Sequence, residues 1–229
     1  MTSLSAEILL LALDDEKGSV GTGVSSTLDT ALAGAQLLDL AIAKRITIED
    51  KRVIPLDGPP LDDPVLDAAL TRILQESKPK KAESIIPKLT KGLRKRLLAQ
   101  LADEGVVRAD LKKILGFIPI NRYPEMDGSV EEKLRERLRR VILLDEVPDE
   151  RTASLAAVIQ AADLESLILN RQERKASKER LKDLAEGEAL SPAISHAIAS
   201  VNAAATAAIV AATSASAASC SAGSSSSSC

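Results

Sequence analysis

Residues 27–43 read TLDTALAGAQLLDLAIA, and this stretch decides the fold class. Leu28, Leu32, Leu37, Leu38 and Ile42 fall on one broad face at helical spacing. Ala31, Ala33, Gly34 and Ala35 are small enough for neighbouring helices to approach closely. A helix with one broad apolar face packs helix on helix, and the flanking sequence offers partners. Upstream, LSAEILLLALD (4–14) reads as a short, strongly apolar helix capped by Ser3 or Ser5 and ended by the glycines from Gly18 onward. Downstream, RITIEDKRVIPL (45–56) switches to period two around Glu49-Asp50-Lys51 and reads as a β-hairpin.

Further out, Asp63 and Pro64 suit the N-cap and first turn of a helix running to Leu74. SKPKK (77–81) reads as a polar link. A helical region follows, broken near Pro87, and Leu93, Leu97 and Leu101 recur before Gly105 stops the helix. VVRADLKKILGFIPI (106–120) reads as two short strands. Ser129 and Glu132 form a capping-box pattern ahead of an apolar face of Val130, Leu134, Leu138 and Val141. Helices are expected over 150–169 and 172–185. Ile194, Ile198, Val201, Ala205 and Ile209 then make one last stripe. The expectation is mainly α: a single-domain helical bundle over 1–212 with one or two small β-hairpins. The Ser/Ala-rich tail at 213–229, which holds Cys220 and Cys229, is expected to be disordered.

Composition narrows the function. The chain has 229 residues, 45% apolar and 28% charged, with a net charge of −3. One His, His196, leaves little for a triad or a zinc centre. No phosphate-binding glycine motif follows a strand. Asp14-Asp15-Glu16 and Asp62-Asp63 sit at helix ends, where carboxylates serve as caps, although Asp14 and Asp15 keep a metal-dependent hydrolase as a third reading, ahead of a nucleic-acid role. No enzyme, cofactor or metal is therefore expected. Aromatics at 1% argue against a protein that stacks single-stranded nucleic acid, so no nucleic-acid partner is expected. No stretch reads as a confident membrane span.

Two features remain. Lys78, Lys80, Lys81, Lys88, Lys91, Arg94, Lys95 and Arg96 face a single acid, Glu83, a local charge of +7. Such a patch suits phosphate groups. The runs 133–140 and 171–182 mix both signs and read as solvated faces laced by i,i+4 pairs. The second feature is LKKILGFIPI (111–120), where Ile114, Leu115, Phe117 and Ile118 lie behind two lysines. It reads either as a buried strand pair or as an apolar hairpin that meets a bilayer or a second subunit.

SAEILLLALDDEKGSV (5–20), TALAGAQLLDLAIAKRI (30–46), DDPVLDAAL (62–70), LRKRLLAQLADEGVV (93–107) and ERTASLAAVIQAADL (150–164) stand in the order and spacing of the Golgi phosphoprotein 3 family. The chain resembles that family over about residues 4–212. The resemblance implies a helical bundle around a central apolar helix with a protruding hairpin near Ile114–Ile120. It also implies peripheral membrane association through phosphatidylinositol 4-phosphate, with glycosyltransferase tails as protein clients in eukaryotic members. The family's pair of lipid-binding arginines corresponds to Lys91 and Arg94, with Lys95 beside them. Val24 and Ala33 stand where those members carry a Trp and an Arg. The expected protein is cytoplasmic and peripherally bound to anionic phospholipid or phosphoinositide, on the Golgi's cytosolic face in a eukaryote. A soluble adaptor for protein clients is the alternative, and the hairpin could join copies into a homo-oligomer.

Overall fold

The computed structural model describes residues 2–13, 20, 25–108, 110–114, 118–122, 128–186 and 194–207. The stretch that decides the fold forms α2 (Ser25–Ile42). Every residue from 31 to 40 is buried, Gly34, Gln36 and Asp39 included. This is the central helix the bundle is built around. α1 (Leu4–Ala12) packs along it and buries all its residues except Glu7, which is half-buried. Ser3 caps α1 by accepting the Ala6 N–H. The buried side chains from α1 to the last described helix make one connected core.

The first hairpin is formed by β1 (Ile46–Glu49) and β2 (Arg52–Pro55), with Glu49 opposite Arg52. Asp50 (φ 47°) and Lys51 (φ 63°) turn it with both central residues left-handed, the arrangement a two-residue hairpin needs. The presumed polar link contributes a third strand, β3 (Lys80–Lys81), opposite Arg52 and Val53. The sequence carried no strand signal there, because a two-residue edge strand needs only backbone donors and acceptors.

α3 (Pro64–Leu74) starts as expected, with Asp63 accepting the Val65 and Leu66 N–H groups. α4 (Ala82–Thr90) runs through Pro87 instead of breaking there. Proline inside a helix costs about 3 kcal/mol. Ile85, Ile86 and Leu89 are buried on the same helix, and at about 2 kcal/mol each their burial outweighs it. The break falls at Gly92, where φ is +68°, and α5 (Leu93–Asp103) begins at once. Gly105, also left-handed, ends α5 as expected.

β4 (Asp110–Ile114) and β5 (Ile118–Arg122) pair antiparallel, Ile114 opposite Ile118. This ribbon forms its own sheet and packs extensively on no other described element.

α6 (Ser129–Leu143) does not use the expected capping box. Gly128 already has helical dihedrals and holds the cap position, so Ser129 lies inside the helix. Val130, expected in the core, is exposed, while Leu134, Leu138 and Val141 are buried. α7 (Glu150–Ala161) is shorter than expected: Asp163 takes φ 54°, and Leu164 N–H returns to Ile159 O at 2.9 Å, which closes the helix. A single 3-10 turn (Glu165–Leu167) leads to α8 (Arg171–Ala176) and α9 (Lys178–Glu186), split at Ser177. The capping box forms here instead, between Asn170 and Glu173.

Residues 194–207 form a last described helix, α10. Its stripe of Ile194, Ile198, Val201 and Ala205 is buried as expected. Ile209 and the tail lie outside the described residues. No helix among the described residues is long and apolar enough to cross a membrane.

Candidate functional site

The α4–α5 corner gathers the basic residues that the sequence singled out. Leu93 and Leu97, both fully buried, anchor α5 in the core. With those positions fixed inward, Lys91 and Lys95 are left exposed. Lys91 and Gly92 alone form the corner, and Arg96 Nη1 donates to Lys91 O at 2.9 Å across it. Leu93–Asp103 starts with no side-chain cap and no acid in its first turn. That turn holds Arg94, Lys95 and Arg96 instead. Cations there oppose the positive end of the helix dipole, so both features call for an anion.

Arg94 is already paired. Its Nε donates to Asp29 Oδ1 at 3.1 Å, and its Nη2 lies 2.9 Å from the same oxygen. Asp29 belongs to the first turns of α2, so this pair joins the starts of α2 and α5. Lys91 and Lys95 form no ion pair among the described residues.

The rest of the basic run is less uncompensated than its sequence suggested. Lys88 pairs with Glu76 at 2.5 Å and Lys81 with Glu83 at 3.6 Å. The Lys88 hydrogen bond holds the Glu76 carboxyl below its usual range. Lys78 and Lys80 line a cavity of about 300 Å³ with Ile54, Leu74 and Glu76. The charge that remains concentrated is therefore at the corner.

The run at 133–140 is not a solvated face of i,i+4 pairs. Among the described ion pairs of this run, Arg135–Glu131 alone has that spacing. Arg137 reaches Glu7 on α1 at 3.2 Å, Arg139 reaches Glu173 on α8 at 2.5 Å, and Arg140 reaches Glu146 at 2.6 Å. Arg180, from the third run, pairs with Asp145 at 3.3 Å. Arg137 and Arg139 tie α6 to α1 and α8, while Arg140 and Arg180 hold the segment between α6 and α7.

The other expected positions scatter. Ala33 is fully buried in α2. Val24 lies outside the described residues, as do Leu115 and Phe117. Ile114 and Ile118 are the last backbone pair before the ribbon's tip. Asp63 is a helix cap, and Asp14 and Asp15 lie outside the described residues. His196 is exposed and, with Ser200, borders a cleft beside the β1–β2 turn. Among the described residues no group of three His, Cys, Asp or Glu could hold a metal ion.

Sequence reasoning missed Asp29. It lies 65 positions from Arg94, and no local spacing announces such a pair. It also missed Asp39, whose buried carboxylate accepts the Leu4 N–H at 2.8 Å and lies 3.6 Å from Arg151.

The family model described as Golgi phosphoprotein 3 (GPP34) matches residues 4–201. The chain belongs to that family.

Proposed function

On the premise of that membership, we propose that the protein is a non-enzymatic peripheral membrane protein of the cytoplasm that binds anionic phospholipid at the α4–α5 corner. The observation that carries this reading is the first turn of α5: three cations, the exposed Lys95 among them, no acid and no side-chain cap, with Lys91 exposed beside it. A phosphate placed there meets the start of a helix that no side chain caps, together with flexible ammonium groups. Arg94 adds the planar fork that grips a phosphate through two hydrogen bonds. Each cation near an anionic surface contributes about 1 kcal/mol, and that contribution is screened by salt. The ribbon of β4 and β5 ends its pairing at Ile114 opposite Ile118, the sequence between them includes Leu115 and Phe117, and this segment supplies apolar contact with the bilayer. Phosphatidylinositol 4-phosphate is the headgroup we assign to the corner, following the family resemblance.

The test is co-sedimentation of the full chain with neutral vesicles, vesicles of generic anionic lipid and vesicles with phosphatidylinositol 4-phosphate, at two salt concentrations. Binding that falls with salt and is lost in a Lys91→Ala/Arg94→Ala variant is the expected result. No pelleting at low salt would overturn the lipid reading.

A soluble adaptor for protein clients is the second reading. The Arg94–Asp29 pair favours it, because a resident carboxylate occupies the guanidinium. On that reading vesicles never pellet the protein, and the Lys91→Ala/Arg94→Ala variant keeps its client binding.

A further inference from the structure

Arg94 presents the Nε–Nη2 edge of its guanidinium, the edge best shaped for a tetrahedral oxyanion, to a single oxygen of Asp29. Arg94 is the more enclosed of the two, its side chain 26% exposed against 44% for Asp29. The carboxylate can therefore swing into solvent while the guanidinium stays in place. Lys91 and Lys95 lie at the same corner, exposed and without an ion pair among the described residues. The corner thus holds two exposed lysines, Arg96 bonded to the Lys91 carbonyl, and one cation, Arg94, covered by an internal anion.

We infer that Asp29 is the specificity-determining residue of this corner: a resident counter-ion that only a dianionic phosphomonoester headgroup displaces well. This inference rests on the lipid reading above. A phosphodiester lipid offers one negative charge and must compete with a carboxylate of equal charge that is already tethered. A phosphomonoester carries a charge of about −1.5 to −2 and three acceptor oxygens, so it outcompetes the carboxylate at Arg94 while Lys91 and Lys95 take its other oxygens. Asp29 thereby lowers affinity for every anionic surface, and lowers it most for the weaker competitors.

The test measures vesicle affinity of the full chain on phosphatidylinositol and on phosphatidylinositol 4-phosphate. The proteins compared are wild type, Asp29→Asn, Arg94→Ala and the Asp29→Asn/Arg94→Ala double variant. Lys91→Ala/Lys95→Ala reports on the lipid reading itself. Exposed ion pairs are weak, so Asp29→Asn is expected to tighten phosphatidylinositol binding about two- to fivefold. The gain on the 4-phosphate is smaller, and the preference between the two lipids narrows. In the Arg94→Ala background the gain disappears. An equal gain with and without Arg94 would overturn the inference, because only net charge would then be at work. Unchanged binding in Asp29→Asn, with salt-sensitive binding still lost in Lys91→Ala/Lys95→Ala, would overturn the inference and leave the lipid reading standing. Failure of both wild type and Asp29→Asn to pellet would overturn both.

Discussion

Asp39 accepts the backbone N–H of Leu4 at 2.8 Å, so a carboxylate in the last turn of the central helix serves as a cap for its neighbour. The Ser5 N–H points to the same group. Around it stand Arg151 of α7 at 3.6 Å and Glu7 of α1, and Arg137 of α6 reaches Glu7 in turn. Four helices meet at this junction, and Asp39 is its most enclosed charge.

Burial pushes the Asp39 carboxyl up to about 7, against the opposing pull of the Leu4 N–H and Arg151. The unfolded chain releases that proton near pH 4, so folding takes up a proton between about pH 4 and 7. Asp39 therefore makes stability fall as pH rises through this window, by up to about 1.4 kcal/mol per pH unit. Asn at position 39 removes that slope. Urea unfolding midpoints of wild type and Asp39→Asn from pH 4 to 8 should converge at the acidic end and separate toward neutrality, with the variant less pH-dependent.

Glu7 takes hydrogen bonds from Arg137 and lies 3.3 Å from Arg151, with only 12% of its side chain exposed. Removing it leaves two guanidinium groups close together without their shared anion. Glu7→Ala should cost about 2–4 kcal/mol. For a bundle of this size that is a fall in Tm of about 5–15 °C by calorimetry. A loss below 1 kcal/mol would show that solvent already screens the junction.

Gly92 works at φ +68°, a region that costs an L side chain about 1–2 kcal/mol. Gly92→Ala should destabilise the chain by about that amount, even though the added methyl would meet nothing closer than Arg96 Nη1 at 3.4 Å. The same change should weaken salt-sensitive vesicle binding by more than the lost stability explains, because Lys91 and Arg94 are positioned by this corner. Equal vesicle affinity would dissociate the corner from the lipid site.

A Cβ at Gly34 would lie 3.1 Å from Val201 Cγ1, so α2 and α10 touch where the central helix has no side chain. Gly34→Val should cost about 1–3 kcal/mol by overpacking. Val201→Ala in that background should return part of the loss. Additive losses would mean the two positions do not press on each other.

What could be read from the residues was what depends on neighbours in the chain. Asp63 and Pro64 opened α3 as expected, Asp50 and Lys51 turned the hairpin, and the leucines of α2 announced a buried helix. Errors arose where two local signals competed or where the partner was distant. Ser129 and Glu132 had the right spacing for a cap, but helical dihedrals at Gly128 moved the start by one residue. Pro87 looked like a break, yet three buried aliphatic side chains on α4 outweighed it. At the candidate site the cations of the α4–α5 corner were visible, whereas Asp29 was not, because its relation to Arg94 exists only after α2 and α5 have packed. The arginines of α6 show the same limit: 130 positions separate Arg137 from Glu7.

The all-round burial of α2 has a consequence for synthesis. The helix leaves the ribosome early, but α10, which covers Gly34, begins at residue 194, more than 150 positions after α2 ends at Ile42. At translation rates of about 5–20 residues per second, that delay is about 10–30 s. Throughout it the nascent chain carries its central helix with one side unprotected, so the growing polypeptide needs shelter from aggregation until its last described helix arrives.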